Sequence, residues 1–149
     1  MAYTISDACI GCRACANVCP TGAITGEKKE VHAIAADTCI ECGACGRVCP
    51  SAAVLDHFGL AFERIPKKQW DRPGFDLKKC MSCTICLDSC PTSAISQSLL
   101  VKGSPHLFPF LTDESLCIAC GFCATDCPEE AVAMIPRQDT KPKEPAEVA

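Results

Sequence analysis

The sequence predicts an α+β chain of two small tandem modules, built from short helices and small antiparallel hairpins and stapled by bound metal. Three observations predict it. Sixteen of the 149 residues are cysteine. All sixteen fall in four copies of one spacing, C-x2-C-x2-C-x3-C-P-x-x-A-[I/V]. Cysteine is also counted in the 48% hydrophobic content, and only one Trp, one Tyr and six Phe accompany it. A core that thin, divided among small pieces, needs something beyond side-chain burial to hold it.

The chain starts "MAYTISDACIGC", with no basic n-region and no apolar h-region, so a secretory signal is not expected there. No apolar run approaches the length of a membrane span. Cysteine this dense otherwise suggests a secreted disulfide scaffold, but a crosslinked scaffold has no reason to repeat one spacing. A reducing, cytoplasmic metalloprotein is the expectation. The formal charge of −4 gives no basic excess suited to nucleic acid.

The four copies are "CIGCRACANVCPTGAI" from Cys9, "CIECGACGRVCPSAAV" from Cys39, "CMSCTICLDSCPTSAI" from Cys80 and "CIACGFCATDCPEEAV" from Cys117. In each, three cysteines at two-residue gaps let a tight loop wrap a bound metal centre. Small residues such as Gly11, Ala14, Gly43, Ala44, Ala119 and Gly121 let the backbone come close enough for N–H groups to reach sulfur. Ile10, Ile40, Met81 and Ile118 follow the first cysteines and are expected to shield the centres from water. The third and fourth cysteines are four apart, a helical spacing. The proline after the fourth ends the helix and biases that cysteine towards an extended backbone. The Ala-Ile or Ala-Val pair beyond it is expected to pack back on the centre and start a strand. Zinc remains the rival metal, although its ligands usually come as two C-x2-C hooks.

The run resembles that of bacterial two-[4Fe–4S] ferredoxins. Four copies look like two such proteins in tandem, a polyferredoxin, over about residues 3–56 and 76–136. The resemblance implies four [4Fe–4S] clusters and an exchange in which each fourth cysteine ligates the neighbouring cluster. Cluster one would take Cys9, Cys12, Cys15 and Cys49; cluster two, Cys39, Cys42, Cys45 and Cys19. Cluster three would take Cys80, Cys83, Cys86 and Cys127; cluster four, Cys117, Cys120, Cys123 and Cys90. The alternative is nested exchange, the first run with the fourth and the second with the third. Nineteen residues separate Cys19 from Cys39, twenty-six separate Cys90 from Cys117 and thirty separate Cys49 from Cys80. The longest gap therefore lies between the halves, which favours tandem pairing.

The expected organisation is a two-cluster module over 1–56, a connector over 57–76, a second module over 77–136 and a tail over 137–149. Phe58, Leu60, Phe62, Ile65, Trp70 and Phe75 make the connector too apolar for a free linker, so it should pack across both modules. Lys67, Lys68, Arg72, Lys78 and Lys79 read as a solvated face or as a docking patch for an acidic partner. "ISQSLLVKGSPHLFPFL" reads as two strands around the turn at Lys102-Gly103-Ser104-Pro105. Its Leu107, Phe108, Phe110 and Leu111 lean towards a contact surface, with extra core as the alternative. The tail reads as disordered or as an arm laid on a partner. His32, His57 and His106 read as surface or loop residues.

There is no GxGxxG, no P-loop and no poised nucleophile–base pair, so no enzyme activity is expected. Electron transfer is. Loading four cubes, each adding about −2 with its thiolates, takes the formal charge of −4 to about −12. By resemblance, the chain is expected to be the wire subunit of a multi-subunit oxidoreductase, the tungsten or molybdenum aldehyde oxidoreductases being the favoured type. It would link a catalytic subunit to a flavoprotein subunit or soluble acceptor, and could stack on itself to extend the wire. A free polyferredoxin carrier and a zinc-stabilised interaction module are the alternatives.

Overall fold

The computed structural model describes residues 2–137. Its first half runs β1 (Thr4–Ile5), α1 (Ala14–Val18), β2 (Ile24–Thr25), β3 (Ala33–Ile34), α2 (Ala44–Val48) and β4 (Val54–Leu55). The second half repeats the plan with longer strands: β5 (Arg72–Phe75), α3 (Ile85–Asp88), β6 (Ile95–Ser98), β7 (Phe108–Leu111), α4 (Phe122–Thr125) and β8 (Val132–Ile135). Each half holds two antiparallel pairs. One joins its first and last strands, β1 with β4 and β5 with β8; the other is an inner hairpin, β2 with β3 and β6 with β7. The internal repeat in the cysteine runs is thus an internal repeat of topology.

Each element follows from its place in the run. The helices are four or five residues long, and each opens at or next to a third cysteine. Helices this short do not stand alone in water; they pack in pairs, α1 on α2 and α3 on α4. Cys19 and Cys49 close α1 and α2 with ψ of 115° and 116°, the extended backbone that a following proline imposes. The Ala-Ile and Ala-Val pairs then turn inward. Ala23, Ala53, Ala94 and Ala131 are buried, and Ile24, Val54, Ile95 and Val132 are the buried first residues of β2, β4, β6 and β8.

Each module has its own apolar core, with cysteines as members. Cys15, Cys45 and Cys49 pack with Ile24, Ala53 and Val54 in the first, and Cys86 and Cys123 with Ile95 and Val132 in the second. A third cluster forms where the halves meet. Ala44, Trp70 and Ile118 are buried there, with Val18, Val48 and Ile65 against them.

The connector divides three ways. Phe62 packs on the first core, Ile65 and Trp70 on the junction and Phe75 on the second core. Residues 72–75 are strand β5, so the second module's sheet begins inside the stretch expected as connector. Phe58 and Leu60 depart from expectation: they are 84% and 66% exposed. Asp56 explains why. Its Oδ1 accepts the N–H groups of both Phe58 and Leu60 at 2.9 Å, so a tight turn holds both residues outward.

The long hairpin forms as expected, with Ile95 opposite Leu111 and Ser98 opposite Phe108. Its apolar residues split. Phe108 is buried and Phe110 and Leu111 half-buried, so they are core, whereas Leu107, Leu99, Leu100 and Val101 are exposed. His32 also departs from expectation. It is 2% exposed, folded under the inner hairpin with Nδ1 3.0 Å from the Glu30 carbonyl oxygen. Apart from Arg137, which pairs with Glu114 at 2.7 Å, the expected tail lies outside the described residues.

Candidate metal centres

The backbone of the four runs repeats residue for residue. In every copy the residues just before and just after the second cysteine lie in the left-handed region, and so does the third residue past the fourth cysteine. These twelve positions are Gly11, Arg13, Gly22, Glu41, Gly43, Ala52, Ser82, Thr84, Ser93, Ala119, Gly121 and Glu130, with φ between 47° and 81°. Only four are glycine. Alternating handedness turns successive N–H groups to one side, the concave nest that receives anions and iron–sulfur clusters. Gly11 shows how tight the loops are: a Cβ there would stand 2.4 Å from the Glu30 backbone nitrogen.

Each loop closes over a small enclosed space. Cys9, Cys12, Cys15 and Cys49 line one of about 300 Å3, its mouth included. Cys39, Cys42, Cys45 and Cys19 line a second of about 310 Å3. Cys80, Cys83, Cys86 and Cys127 line a third of about 460 Å3, and Cys117, Cys120, Cys123 and Cys90 a fourth of about 310 Å3. Every cysteine lines one space, and each space draws three thiols from one run and one from its tandem neighbour. Among the described residues, no three cysteine, histidine or acidic side chains stand so as to hold a single metal ion. The thiols surround a volume, as a polynuclear cluster needs, and do not converge on a point as zinc ligands do.

The fourth cysteine of each run is held by its own turn. Ala53, Ala94 and Ala131 donate their N–H groups to Cys49, Cys90 and Cys127 Sγ, each at 3.3 Å. Thr21, Ser51 and Thr92 place a hydroxyl 3.5–3.6 Å from Cys19, Cys49 and Cys90 Sγ. Burial alone would raise these three thiols, but the hydroxyl and N–H bonds outweigh it and hold their pKa below the ordinary thiol value. The third cysteines behave oppositely. Burial, with neighbouring thiols adding to it, pushes Cys45 and Cys123 up to about 12 and Cys86 to about 11. The hydroxyls are legible as C-P-[T/S] in three of the four copies, a signal that the spacing argument passes over.

The spaces also hold polar atoms left without a protein partner. Ser82 Oγ is buried and unpaired at the third, and His32 Nε2 at the first. A buried hydroxyl without an acceptor costs about 1–3 kcal/mol, and cluster sulfur is an acceptor that would meet it. Four thiols, inward N–H groups and orphaned polar atoms all fit an iron–sulfur cube.

The 4Fe-4S dicluster domain matches the chain at residues 8–53 and 38–94, and a second model of that description matches residues 79–132. The chain belongs to the 4Fe-4S dicluster family. The match over 38–94 takes in the second and third runs, so each successive pair of runs has the family's spacing and the family match by itself does not separate tandem from nested partners. One chain of the formate dehydrogenase–heterodisulfide reductase–formylmethanofuran dehydrogenase complex from Methanospirillum hungatei is similar at 24% identity and a TM-score of 0.41. The similarity covers 85% of this chain and 47% of that one, so this chain spans about half its length. No curated protein matches.

As a tandem dicluster protein the chain carries four [4Fe–4S] clusters and is an electron carrier. Such clusters supply one-electron redox capacity when bound. The protein's part is to wrap, insulate and bias them. Ile118 is 7% exposed and Ile40 half-buried, as expected of shields. Ile10 and Met81 are 59% and 60% exposed, and Cys12 and Cys83 beside them are the two exposed cysteines. The first and third spaces are therefore rimmed by exposed residues, and the second and fourth by half-buried and buried ones. Of the basic cluster, Lys67, Lys68, Lys78 and Lys79 are exposed. Arg72 is 6% exposed and donates to the Trp70 and Asp71 carbonyl oxygens at 3.2 and 2.9 Å, so it is part of the fold.

Proposed function

We infer that this chain is the electron-transfer wire of a larger oxidoreductase. The observation that carries the reading is the set of four thiol-lined spaces. Two are rimmed by the exposed Cys12 and Cys83, and two have the half-buried Cys42 and Cys120 at the module junction. A carrier serving one partner needs one accessible centre; centres rimmed by exposed residues in both modules suit a relay with a donor and an acceptor. The ligand sets are Cys9, Cys12, Cys15 and Cys49; Cys39, Cys42, Cys45 and Cys19; Cys80, Cys83, Cys86 and Cys127; and Cys117, Cys120, Cys123 and Cys90. The shared lining of each space supports tandem exchange over nested exchange. The organisation is two modules, 1–56 and 77–136, joined by 57–76, whose last residues, 72–75, already form part of the second module's sheet.

The donor is a catalytic subunit, with the tungsten or molybdenum aldehyde oxidoreductase type as the first candidate. The acceptor is a flavoprotein subunit or a soluble carrier. The exposed Leu99, Leu100, Val101 and Leu107 support docking at the Cys83 end. No helix among the described residues is long and apolar enough to cross a membrane, and a cytoplasmic setting suits the free thiols the clusters require. The same apolar hairpin offers a surface for self-association into a longer wire.

Native purification with metal analysis tests the reading. The expected result is about sixteen iron and sixteen acid-labile sulfide per chain, with a catalytic subunit in fixed ratio. A loaded chain that travels alone would make it a free carrier, and zinc without sulfide would overturn the cluster reading.

A further inference from the structure

One side chain ties loops of the two modules together. Arg47, on α2, sends Nη2 to the Cys42 carbonyl oxygen at 3.1 Å and to the Ile118 carbonyl oxygen at 2.8 Å. Cys42 belongs to the second thiol set, and Ile118 sits between Cys117 and Ala119 in the loop of the fourth. One guanidinium thus ties a loop of each module to the other. The connector holds it in place. Ile65 N–H donates to the Arg47 carbonyl oxygen at 3.0 Å, Trp70 Nε1 donates to the Ile65 carbonyl oxygen at 2.8 Å, and the Trp70 ring lies 5.2 Å from the guanidinium carbon. Cys42 and Cys120 pack against the same buried trio of Ala44, Trp70 and Ile118. Cys12 and Cys83, the counterparts of these two cysteines in the other runs, face solvent.

Arg47 also carries charge into that junction. Among the described residues it makes no ion pair. Its Nε is buried without a partner. A half-buried cation with no carboxylate beside it acts on whatever negative charge comes near, and it is screened less than a surface lysine. Each one-electron reduction adds a negative charge to a cluster. A fixed positive charge between two clusters therefore favours reduction of those two over the more distant pair.

We propose that electrons cross between the modules from the Cys19/Cys39/Cys42/Cys45 set to the Cys90/Cys117/Cys120/Cys123 set where Cys42 and Cys120 pack on the same buried trio, and that Arg47 is the positioning residue that raises the reduction potential of both. The order along the wire is then first, second, fourth, third. One electron moves per step: one centre is oxidised by one unit as the next is reduced, no bond is made or broken, and no proton moves. The inference rests on the wire reading and locates its central step.

Potentiometric titration of the loaded protein, followed by electron paramagnetic resonance, tests it. The four centres are assigned through Cys→Ser variants, one set at a time. The expected result for Arg47→Gln is that the two junction centres become about tenfold harder to reduce, roughly 59 mV for one electron. The two outer centres and a Lys68→Gln control stay where they were. Arg47→Lys, which keeps the charge but loses the planar fork, should restore most of the potential. Equal shifts at all four centres, no shift, or a lysine variant as displaced as the glutamine one would each overturn the proposal, because each is what a purely structural clamp gives. If Arg47→Gln fails to retain about sixteen iron, Arg47→Lys decides alone, by whether the junction centres keep their potentials. The wire reading fails on other grounds, a wild-type chain without full iron and sulfide or without a partner.

Discussion

Glu129 stands where the other three runs have a hydroxyl. Thr21, Ser51 and Thr92 each lie within 3.6 Å of the fourth cysteine's sulfur, whereas Glu129 brings a carboxylate to the lining of the space shared by Cys80, Cys83, Cys86 and Cys127. Replacing it with threonine should raise the potential of that centre alone. A net hydrogen bond is worth about 0.5–1.5 kcal/mol, which for one electron is roughly 20–65 mV. Ser82→Ala should act oppositely at the same centre, because it removes the buried hydroxyl that has no acceptor but cluster sulfur. Redox titration of the two variants checks both signs. Cys19→Ala tests the exchange of ligands. The centre held by Cys39, Cys42 and Cys45 should be lost or fall to three irons, while the Cys9 centre keeps its spectrum; loss at the Cys9 centre instead would mean the exchange is wrong.

Among the elements, α2 is constrained on several sides. It carries Cys45 and Cys49 at its start and end and Arg47 on the junction, and it packs on Phe62 through Gly46. A Cβ at Gly46 would stand 2.2 Å from Phe62 Cγ and 2.6 Å from its Cβ, atoms too near the backbone to swing aside. Phe62 is further held edge-on against Tyr3, with ring centroids 4.9 Å apart. Gly46→Ala should therefore cost about 1–3 kcal/mol by overpacking, read as a lower midpoint for thermal loss of the clusters' visible absorbance. The same substitution at Gly59, where nothing lies within 4 Å but φ is 79°, is strained by its backbone alone.

At the scale of the whole molecule, the cluster loops store more strain than a thin core can carry. Eight left-handed positions in the runs hold non-glycine residues. At about 1–2 kcal/mol each, their cost is of the same order as the whole stability of a typical domain, about 5–15 kcal/mol. Bound clusters must offset it, so the metal-free chain should not hold this fold. Oxidative chelation should remove both the visible absorbance and the far-ultraviolet dichroism; a cluster-free chain of native hydrodynamic radius would contradict this. Loading also moves protons. Burial holds Cys45, Cys86 and Cys123 far above neutrality in this fold, and an ordinary thiol of an unfolded chain, with a pKa of about 8.5, is also protonated at pH 7, so each must lose its proton to bind iron. Reconstitution with iron and sulfide should then improve as pH rises from about 6 to about 9 and release acid that a pH-stat can count.

Local spacing determined much of this protein. Three thiols at two-residue gaps, a helical step to the fourth and a proline after it are short-range constraints, and they set the helices, the buried Ala-Ile and Ala-Val pairs and the strand starts wherever they recur. What spacing cannot carry is the outcome of contacts between distant segments. His32 is buried because the inner hairpin folds over the first space, Arg72 because the junction closes on it, and Phe58 stays outside because Asp56 ties its turn. Arg47 reads in sequence as one more charge on a short helix. Its partner Ile118 is 71 residues away, and only the docking of the two modules brings that carbonyl oxygen within reach of the guanidinium. Burial and long-range hydrogen bonds arise from packing, so the order of the centres and the charge between them were decided by the tertiary structure.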